Sequence, residues 1–415
     1  MRRRKPTRSL ALTSCLGLAL AGTPAFADRD RDREDRLTIA NLNLLHGFAC
    51  DPPEPEDGDQ CRVRDRIRLL FEHIAAVGCP DVVTLQENVT EEFVQVAAGI
   101  FAGPLDDTVA LIRDRLPKLA RKCGFRYHVA FDPEGATGPP AATGRGIDEE
   151  LILSRYPIHD AEVRVLYSPL APFFSRHVLH ARIRHPAGPI DVFTTHLASG
   201  SDLGSVFCGV PALPPPLASP PCPPECIAGP VGGDTVRECQ ARQMAAFVEA
   251  RHDVTNPAFA TGDFNAPPMS RVYRQFADRG WADSHLAAGN AECDPATGLN
   301  CTGGRQDEDL SQLESRALNQ EERIDYIFVV PAEPGAECRG GILARRDDDG
   351  EEEDDFDEGA TGLFAGLPNP FVRRCGASPR EICWPSDHSG NIATLSCEEP
   401  RGRSHRHRTG RKGDR

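Results

Sequence analysis

Short β-rich runs recur along the chain, and nearly every one closes on a carboxylate, an amide or an imidazole. In order, the polar ends are Asn43, Gln86-Glu87, Thr195-His196, Gly262-Asp263-Phe264-Asn265, Asp325-Tyr326 and Ser386-Asp387-His388. Runs of this length and composition, bounded by Gly, Pro and charged loops, read as buried strands. Strand ends converge in space, so a polar residue at each end places six polar groups at one sheet edge. The opening grammar is strand, helix, strand. "LTIANLNLL" is strand-like, Val63, Ile67, Leu70, Phe71 and Ile74 fall at helical spacing between Arg62 and Val77, and Gly78 with Pro80 ends that helix before "DVVTLQE". This order implies an α/β protein. "ELILSRYPI", "RHVLHARIRH", "IDVFTTHL", "AFATGDFNAPP", "RIDYIFVV" and "NIATLSC" are further β-rich runs, and helical spacing returns between Val236 and Val248.

The N-terminus reads as an export signal: a basic start (Arg2, Arg3, Arg4, Lys5, Arg8), an apolar run from Leu10 to Ala21, and the small-x-small site Ala25-Phe26-Ala27. We expect residues 1–27 to be removed, placing the mature chain in the periplasm or the medium. The apolar run is shorter than the ~20 residues needed to span a bilayer. Leu12-Thr13-Ser14-Cys15 resembles a lipidation box, but most of the apolar run follows that cysteine. Of the 15 cysteines, removal of Cys15 leaves an even 14 in a chain that leaves the reducing cytosol, so disulfides are expected. Thiolate metal binding is the rival, but Cys222/Cys226, Cys293/Cys301 and Cys375/Cys383 lack the repeated short spacing and nearby histidines of a zinc site.

The full chain carries a net charge of −15, and loss of five basic residues with the signal makes the mature form more acidic still. That balance weighs against a polyanion partner, although much of it sits in the single run Asp347 to Glu358. Residues 28–36 read as a charged leader, and 37–397 as one catalytic domain with a Pro-rich insertion near 211–230 and an acidic loop near 347–359. Residues 398–415 read as a basic disordered tail. No internal repeat is present.

Taken singly, each polar end is ordinary: an Asn after a strand is a common turn residue, and Ser-Asp-His suits a helix cap. Jointly they supply oxygen ligands for a hard cation and histidines for proton transfer. With "LTIANLN", "DVVTLQE", "ILSRYPI", "FTTHL", "TGDFNAPP", "RIDYIF" and "PSDHSGNIATL" in this order, the chain resembles the endonuclease/exonuclease/phosphatase superfamily over roughly Leu37 to Cys397. That group includes deoxyribonucleases, abasic-site endonucleases, inositol-polyphosphate phosphatases and neutral sphingomyelinases. The resemblance implies a two-sheet α/β sandwich flanked by helices, here with disulfide-stapled loops, and hydrolysis of a phosphoester with Mg²⁺ or Mn²⁺.

Carried over by motif, the resemblance makes Glu87, Asn43 and Asp387 the metal ligands, with Asn41 the neighbour open to confusion with Asn43. His388 becomes the base and Asp325 its orienting carboxylate, while Asp263 and Asn265 face the attacking water and the phosphate oxygens. His196 becomes a donor to phosphate or leaving group. The division of the base role between Asp263 and His388 stays open. Arg155, and Arg237 with Gln240, also match family positions, and both arginines are expected to anchor carboxylates beneath the site rather than act in it.

For substrate, export and the likeness of "HVLHARI", "FTTHL" and "TVRECQARQMAAFV" to secreted sphingomyelinases favour a phospholipid, with peripheral membrane contact and no obligate protein partner. An extracellular nuclease is the second reading. Its candidate basic residues Arg145, Arg155, Arg176, Arg271 and Arg305 are scattered. A non-catalytic surface module would lack ligands, and none is missing from the motifs.

Overall fold

The computed structural model describes residues 36–45, 62–90, 106–131, 149–170, 175–200, 203–210, 219–227, 234–303, 320–333, 362–364 and 382–396. In chain order the elements are β1 (Arg36–Asn43), α1 (Val63–Ala76), β2 (Val82–Asn88), α2 (Thr108–Cys123), β3 (His128–Phe131), β4 (Glu149–Ser154), β5 (Ile158–Leu166), β6 (Arg176–His185) and β7 (Gly188–His196). There follow α3 (Pro224–Ile227), α4 (Val236–Arg251), β8 (Ala258–Asp263), α5 (Arg271–Ala277), β9 (Ala282–Asp283), α6 (Ser284–Ala287), β10 (Asp325–Val330), β11 (Gly362–Phe364) and β12 (Gly390–Ser396).

The strands form two six-stranded sheets, β11-β12-β1-β2-β4-β3 and β5-β6-β7-β8-β10-β9. Parallel pairs β1/β2 and β7/β8 sit at the middle of each sheet, where the intervening chain, including α1 and α4, crosses over one face. Period-two alternation assigns the faces. Ala40, Leu42, Val83, Leu85, Leu151 and Leu153 turn outward against Ile67, Leu70, Ile74, Ile112 and Leu119 of α1 and α2. On the second sheet Phe193, Ala260 and Phe328 turn outward against Ala241, Met244 and Val248 of α4 and Phe276 of α5. Leu37, Ile39, Val82, Val192, Phe259, Ile327, Ala393 and Leu395 fill the space between the sheets. The two-sheet sandwich flanked by helices is the fold implied above.

The β-rich run "ELILSRYPI" divides between the two sheets. Glu149–Ser154 is a fully buried strand of the first sheet, whereas Ile158 opens β5 in the second, so Arg155-Tyr156-Pro157 is the crossing between layers. Helix α2 had no counterpart in the sequence pattern. It forms with Asp107 capping Ala110 N–H and left-handed Gly124 at its end, around an internal Pro117. In α4, Thr235 and Glu238 make a reciprocal capping box.

Four disulfides join described cysteines: Cys79–Cys123, Cys208–Cys222, Cys226–Cys239 and Cys293–Cys301. Cys222 and Cys226 thus bond outward, fastening the Pro-rich insertion to the strand-following loop and to α4. The two adjacent bonds account for the close approach of Cys208, Cys226 and Cys239. Cys79–Cys123 ties the end of α2 to the turn before β2 across 44 residues. Replacing both cysteines with serine is expected to cost about 4 kcal/mol on the chain-entropy account, read by urea unfolding. Residues 1–35, most of 211–230, the acidic loop 347–359 and the tail 398–415 lie outside the described residues. Among the described residues no helix is long and apolar enough to cross a membrane.

His73 in α1 is buried, and burial pushes its imidazole down to about 4. The folded state therefore resists a proton that the unfolded chain accepts near pH 6.5. Its contribution is intact above pH 6.5 and is lost as pH falls through about 4, amounting to about 3 kcal/mol. The loss of stability between pH 7 and pH 4, followed by denaturant titration, should shrink by that amount in His73→Leu. Identical pH slopes in the two proteins would remove the assignment.

Candidate active site

Along each inner strand the side chains change character toward one edge. β1 runs Leu37, Ile39, Asn41, Asn43; β7 runs Ile190, Val192, Thr194, His196; β8 runs Phe259, Thr261, Asp263; and β10, antiparallel to β8, brings Ile327 and then Asp325 to the same level. Apolar residues pack the sandwich below, a hydroxyl and amide layer follows, and charged groups crown the edge. Asn43, Glu87, His196, Asp263, Asp325 and His388 are all buried.

Glu87 arrives by a backbone device. The β2/β4 register shifts between Leu85 and Asn88, and Glu87 takes φ +60°. A bulge releases a residue from the ladder and re-aims its side chain, and the left-handed conformation is strained for a residue with a Cβ. Asn265, at φ +49°, is turned likewise just beyond β8. Asn43 Nδ2 donates to Glu87 Oε1 at 2.8 Å and to Asp263 Oδ2 at 3.0 Å, linking the two sheets, while its Oδ1 accepts from Leu45 N–H. Asn43 therefore turns its nitrogen, not its oxygen, toward these carboxylates. Asp263 Oδ1 accepts from Asn265 N–H at 2.7 Å.

Two histidines flank Asp263, with His196 Nε2 at 3.4 Å and His388 Nε2 at 3.8 Å from Oδ2. His388 Nδ1 lies 3.0 Å from Asp325 Oδ2. Burial disfavours charge on His388, but Asp325, Asp387 and Asp263 outweigh it and hold the imidazole well above its usual range. Burial likewise pushes the Asp325 carboxyl upward, against the opposing pull of His388. Both shifts have one sense: the pair holds its proton tightly. Asp387 is only half-buried, with Oδ1 3.2 Å from Ser386 Oγ.

Other residues support the site, several of them without a role assigned by the motifs. Arg176, buried at the start of β6, places Nη1 2.6 Å from His196 Nδ1. A guanidinium only donates, so His196 Nδ1 accepts from it, while Nε2 lies between Asp263 Oδ2 at 3.4 Å and Asn265 Nδ2 at 3.0 Å. Glu150 Oε1 accepts from His196 N–H. Ser386 Oγ donates to Asn43 O and accepts from His388 N–H. Thr302 Oγ1 accepts from the N–H groups of Ile324 and Asp325. Arg323 is buried in a two-pronged pair with Glu292, both contacts 2.7 Å, with Asp283 at 2.8 Å. Such supports come from distant loops and leave no local spacing to read. Arg237 and Gln240 hold the backbone after His196, Arg237 Nε donating to Ala198 O and Gln240 Oε1 accepting from Ala198 N–H. Arg155 sits at the opposite end of the first sheet on Asp81, 3.3 Å away.

Ligand atoms of Asp263, Asp325 and His388 lie within 4.8 Å of one another. Among the described residues neither Asp263 nor Asp325 pairs with Lys or Arg, their ion-pair partners being histidines. With Glu87 beside them, this excess of buried negative charge and its predominantly oxygen donors fit a hard divalent cation better than a thiophilic one. The cluster includes three residues assigned above to catalysis, next to Glu87 and Asn43.

Residues 40–388 match the endonuclease/exonuclease/phosphatase family. The chain belongs to this family. It is thereby a phosphoester hydrolase, of a family generally dependent on divalent metal. Among solved structures, the family's member from Beutenbergia cavernae is 19% identical with TM-score 0.45, the match covering 87% of this chain and 72% of that one. A humanized D. rerio TDP2 is 15% identical with TM-score 0.48 over 87% and 99% of the two chains. The Bacteroides vulgatus family member is 16% identical with TM-score 0.49 over 88% and 99%. No curated protein matches the chain.

Proposed function

We propose that this chain is an exported phosphodiesterase that works with Mg²⁺ or Mn²⁺ and cleaves a phospholipid headgroup of the sphingomyelin type. The observation that carries the hydrolytic reading is the meeting of Glu87, Asp263 and Asp325 with two histidines at one buried edge. In this reading Glu87 and Asp387 hold the cation; Asn43, expected from its motif to be a third ligand, instead spends its Oδ1 on Leu45 N–H and steadies Glu87 and Asp263 through Nδ2. When bound, the cation neutralises phosphate charge and stabilises the leaving oxygen. His388, its Nδ1 occupied by Asp325, turns Nε2 to the attacking water and takes its proton only in the form that has lost its own Nε2 proton, which the neighbouring carboxylates make scarcer at neutral pH and which becomes commoner as pH rises. Asp263 and Asn265 orient that water and the phosphate. His196, with Nδ1 taken up by Arg176, offers Nε2–H to a phosphate oxygen.

Export is supported by the N-terminal signal pattern and by four disulfides, which persist in oxidising compartments. The lipid preference rests on the sequence likeness to secreted sphingomyelinases. One observation favours a nuclease instead: α2 carries Arg113, Arg115, Lys118, Arg121 and Lys122, a cationic face on an acidic protein. Protein made under oxidising conditions should release phosphocholine from sphingomyelin vesicles with Mg²⁺ or Mn²⁺ and stop with chelator. Nicking of plasmid without phosphocholine release would establish the nuclease reading, and a folded, metal-loaded protein inert on lipid, DNA and RNA would overturn both.

A further inference from the structure

Beneath the charged edge, the space between the sheets is polar where a sandwich interior is ordinarily apolar. Gln86 Nε2 donates to Asn41 Oδ1 in its own sheet and to Thr194 Oγ1 in the facing sheet, each at 2.9 Å. Thr84 Oγ1 donates to Asn41 Oδ1 at 2.8 Å, and Thr261 Oγ1, from the facing sheet, donates to Thr84 Oγ1 at 2.9 Å. The sheets are thus fastened to each other twice at this level. All five residues are fully buried.

The layer is costly. Asn41 Nδ2, Gln86 Oε1 and the nearby Asn391 Oδ1 are buried without a hydrogen-bond partner among the described residues, and a buried polar group left unpaired destabilises the fold. Leucine and valine pack the level below without that cost, so stability alone does not account for the polar residues. Their location does. Glu87 has left the strand ladder, and its strained backbone is gripped from both sides. Asn88 Nδ2 donates to Leu85 O and Glu149 O after it, and the Gln86 side chain bonds across to the second sheet before it.

The active edge is split between the sheets: Asn43 and Glu87 stand on the first, His196, Asp263 and Asp325 on the second. We infer that Gln86, through Thr194, is a positioning residue that sets the separation of the two halves and so the placing of Glu87 against Asp263. This rests on the reading of Glu87 as a cation ligand.

The test measures Mn²⁺ affinity of the purified protein alone, together with kcat and KM, in Gln86→Leu, Thr194→Val and Thr194→Ser, with Glu87→Gln as reference. Loss of a group that orients a metal ligand weakens metal binding tenfold to a hundredfold. Gln86→Leu and Thr194→Val should do so and lower kcat with KM little changed, whereas Thr194→Ser, which keeps the hydroxyl, should match wild type. If Gln86→Leu does not fold, the two Thr194 variants decide the matter. Lower melting temperature with wild-type Mn²⁺ affinity and kcat, beside a weakened Glu87→Gln, overturns the positioning role alone. Wild-type Mn²⁺ affinity in Glu87→Gln overturns the ligand reading and this inference with it.

Discussion

Asp325→Asn should lower kcat by about 10³-fold, nearly as much as His388→Ala, and the double variant should be no slower than either alone. The reason is geometric. Asp325 Oδ2 engages His388 Nδ1 at 3.0 Å, which keeps the proton on Nδ1 and leaves Nε2 toward Asp263. An amide at 325 can offer N–H in place of the accepting oxygen, which favours the opposite tautomer with the lone pair turned from the site. Both variants should fold. Once His388 is gone, Asp325, already pushed upward by burial, is readily neutralised by a proton, and Thr302 still anchors its backbone. Independent roles would make the two losses multiply. A rate loss under tenfold for Asp325→Asn would end the orienting assignment, and an intact rate in His388→Ala would pass the base role to Asp263.

Gly262→Ala should destabilise the protein by about 4 kcal/mol or more and lower its melting temperature by roughly 5 °C or more. Gly262 adopts φ +142° in β8 beside Thr195 of β7, its partner in the parallel pair, and a Cβ there would run into the Thr195 carbonyl oxygen. Backbone atoms inside a sheet cannot step aside, so β7 and β8 would part at the level of His196 and Asp263. Gly289 is the control. It also has positive φ, +79°, but nothing lies within 4 Å of its missing Cβ, so Gly289→Ala should cost only about 1–2 kcal/mol, the conformational term alone. Equal melting temperatures for the two variants would show that crowding at Gly262 is relieved elsewhere.

The character of the inner strands was open to reading from the chain itself because alternation at period two is a local property. Ile39-Asn41-Asn43, Val192-Thr194-His196 and Phe259-Thr261-Asp263 each record the passage from apolar to polar within one strand. The same locality explains what the chain left unread. "ELILSRYPI" looks continuous because no residue spacing marks which sheet a strand joins; only pairing of Val82–Leu85 with Leu151–Ser154, and of β5 with β6, separates its halves. Helix α2 is half cation on its exposed side and interrupted by Pro117, so its stripe of Val109, Ile112 and Leu119 is recognisable chiefly once the first sheet lies beneath it. The cysteines show the limit most directly: Cys222 and Cys226 are close in sequence, yet bond to Cys208 and Cys239 because pairing follows Cα separation in space.

What the chain determined unaided was therefore the kind of group at each strand end and the order of those ends, since both are written in short stretches of residues. Tertiary structure alone decided which groups meet. It turned Glu87 with a bulge, set Asn43 between carboxylates of different sheets, and brought Arg176 onto His196. Those contacts join residues 20 to 220 positions apart, and their geometry depends on backbone twist, register and burial acting together over distances that no local spacing records.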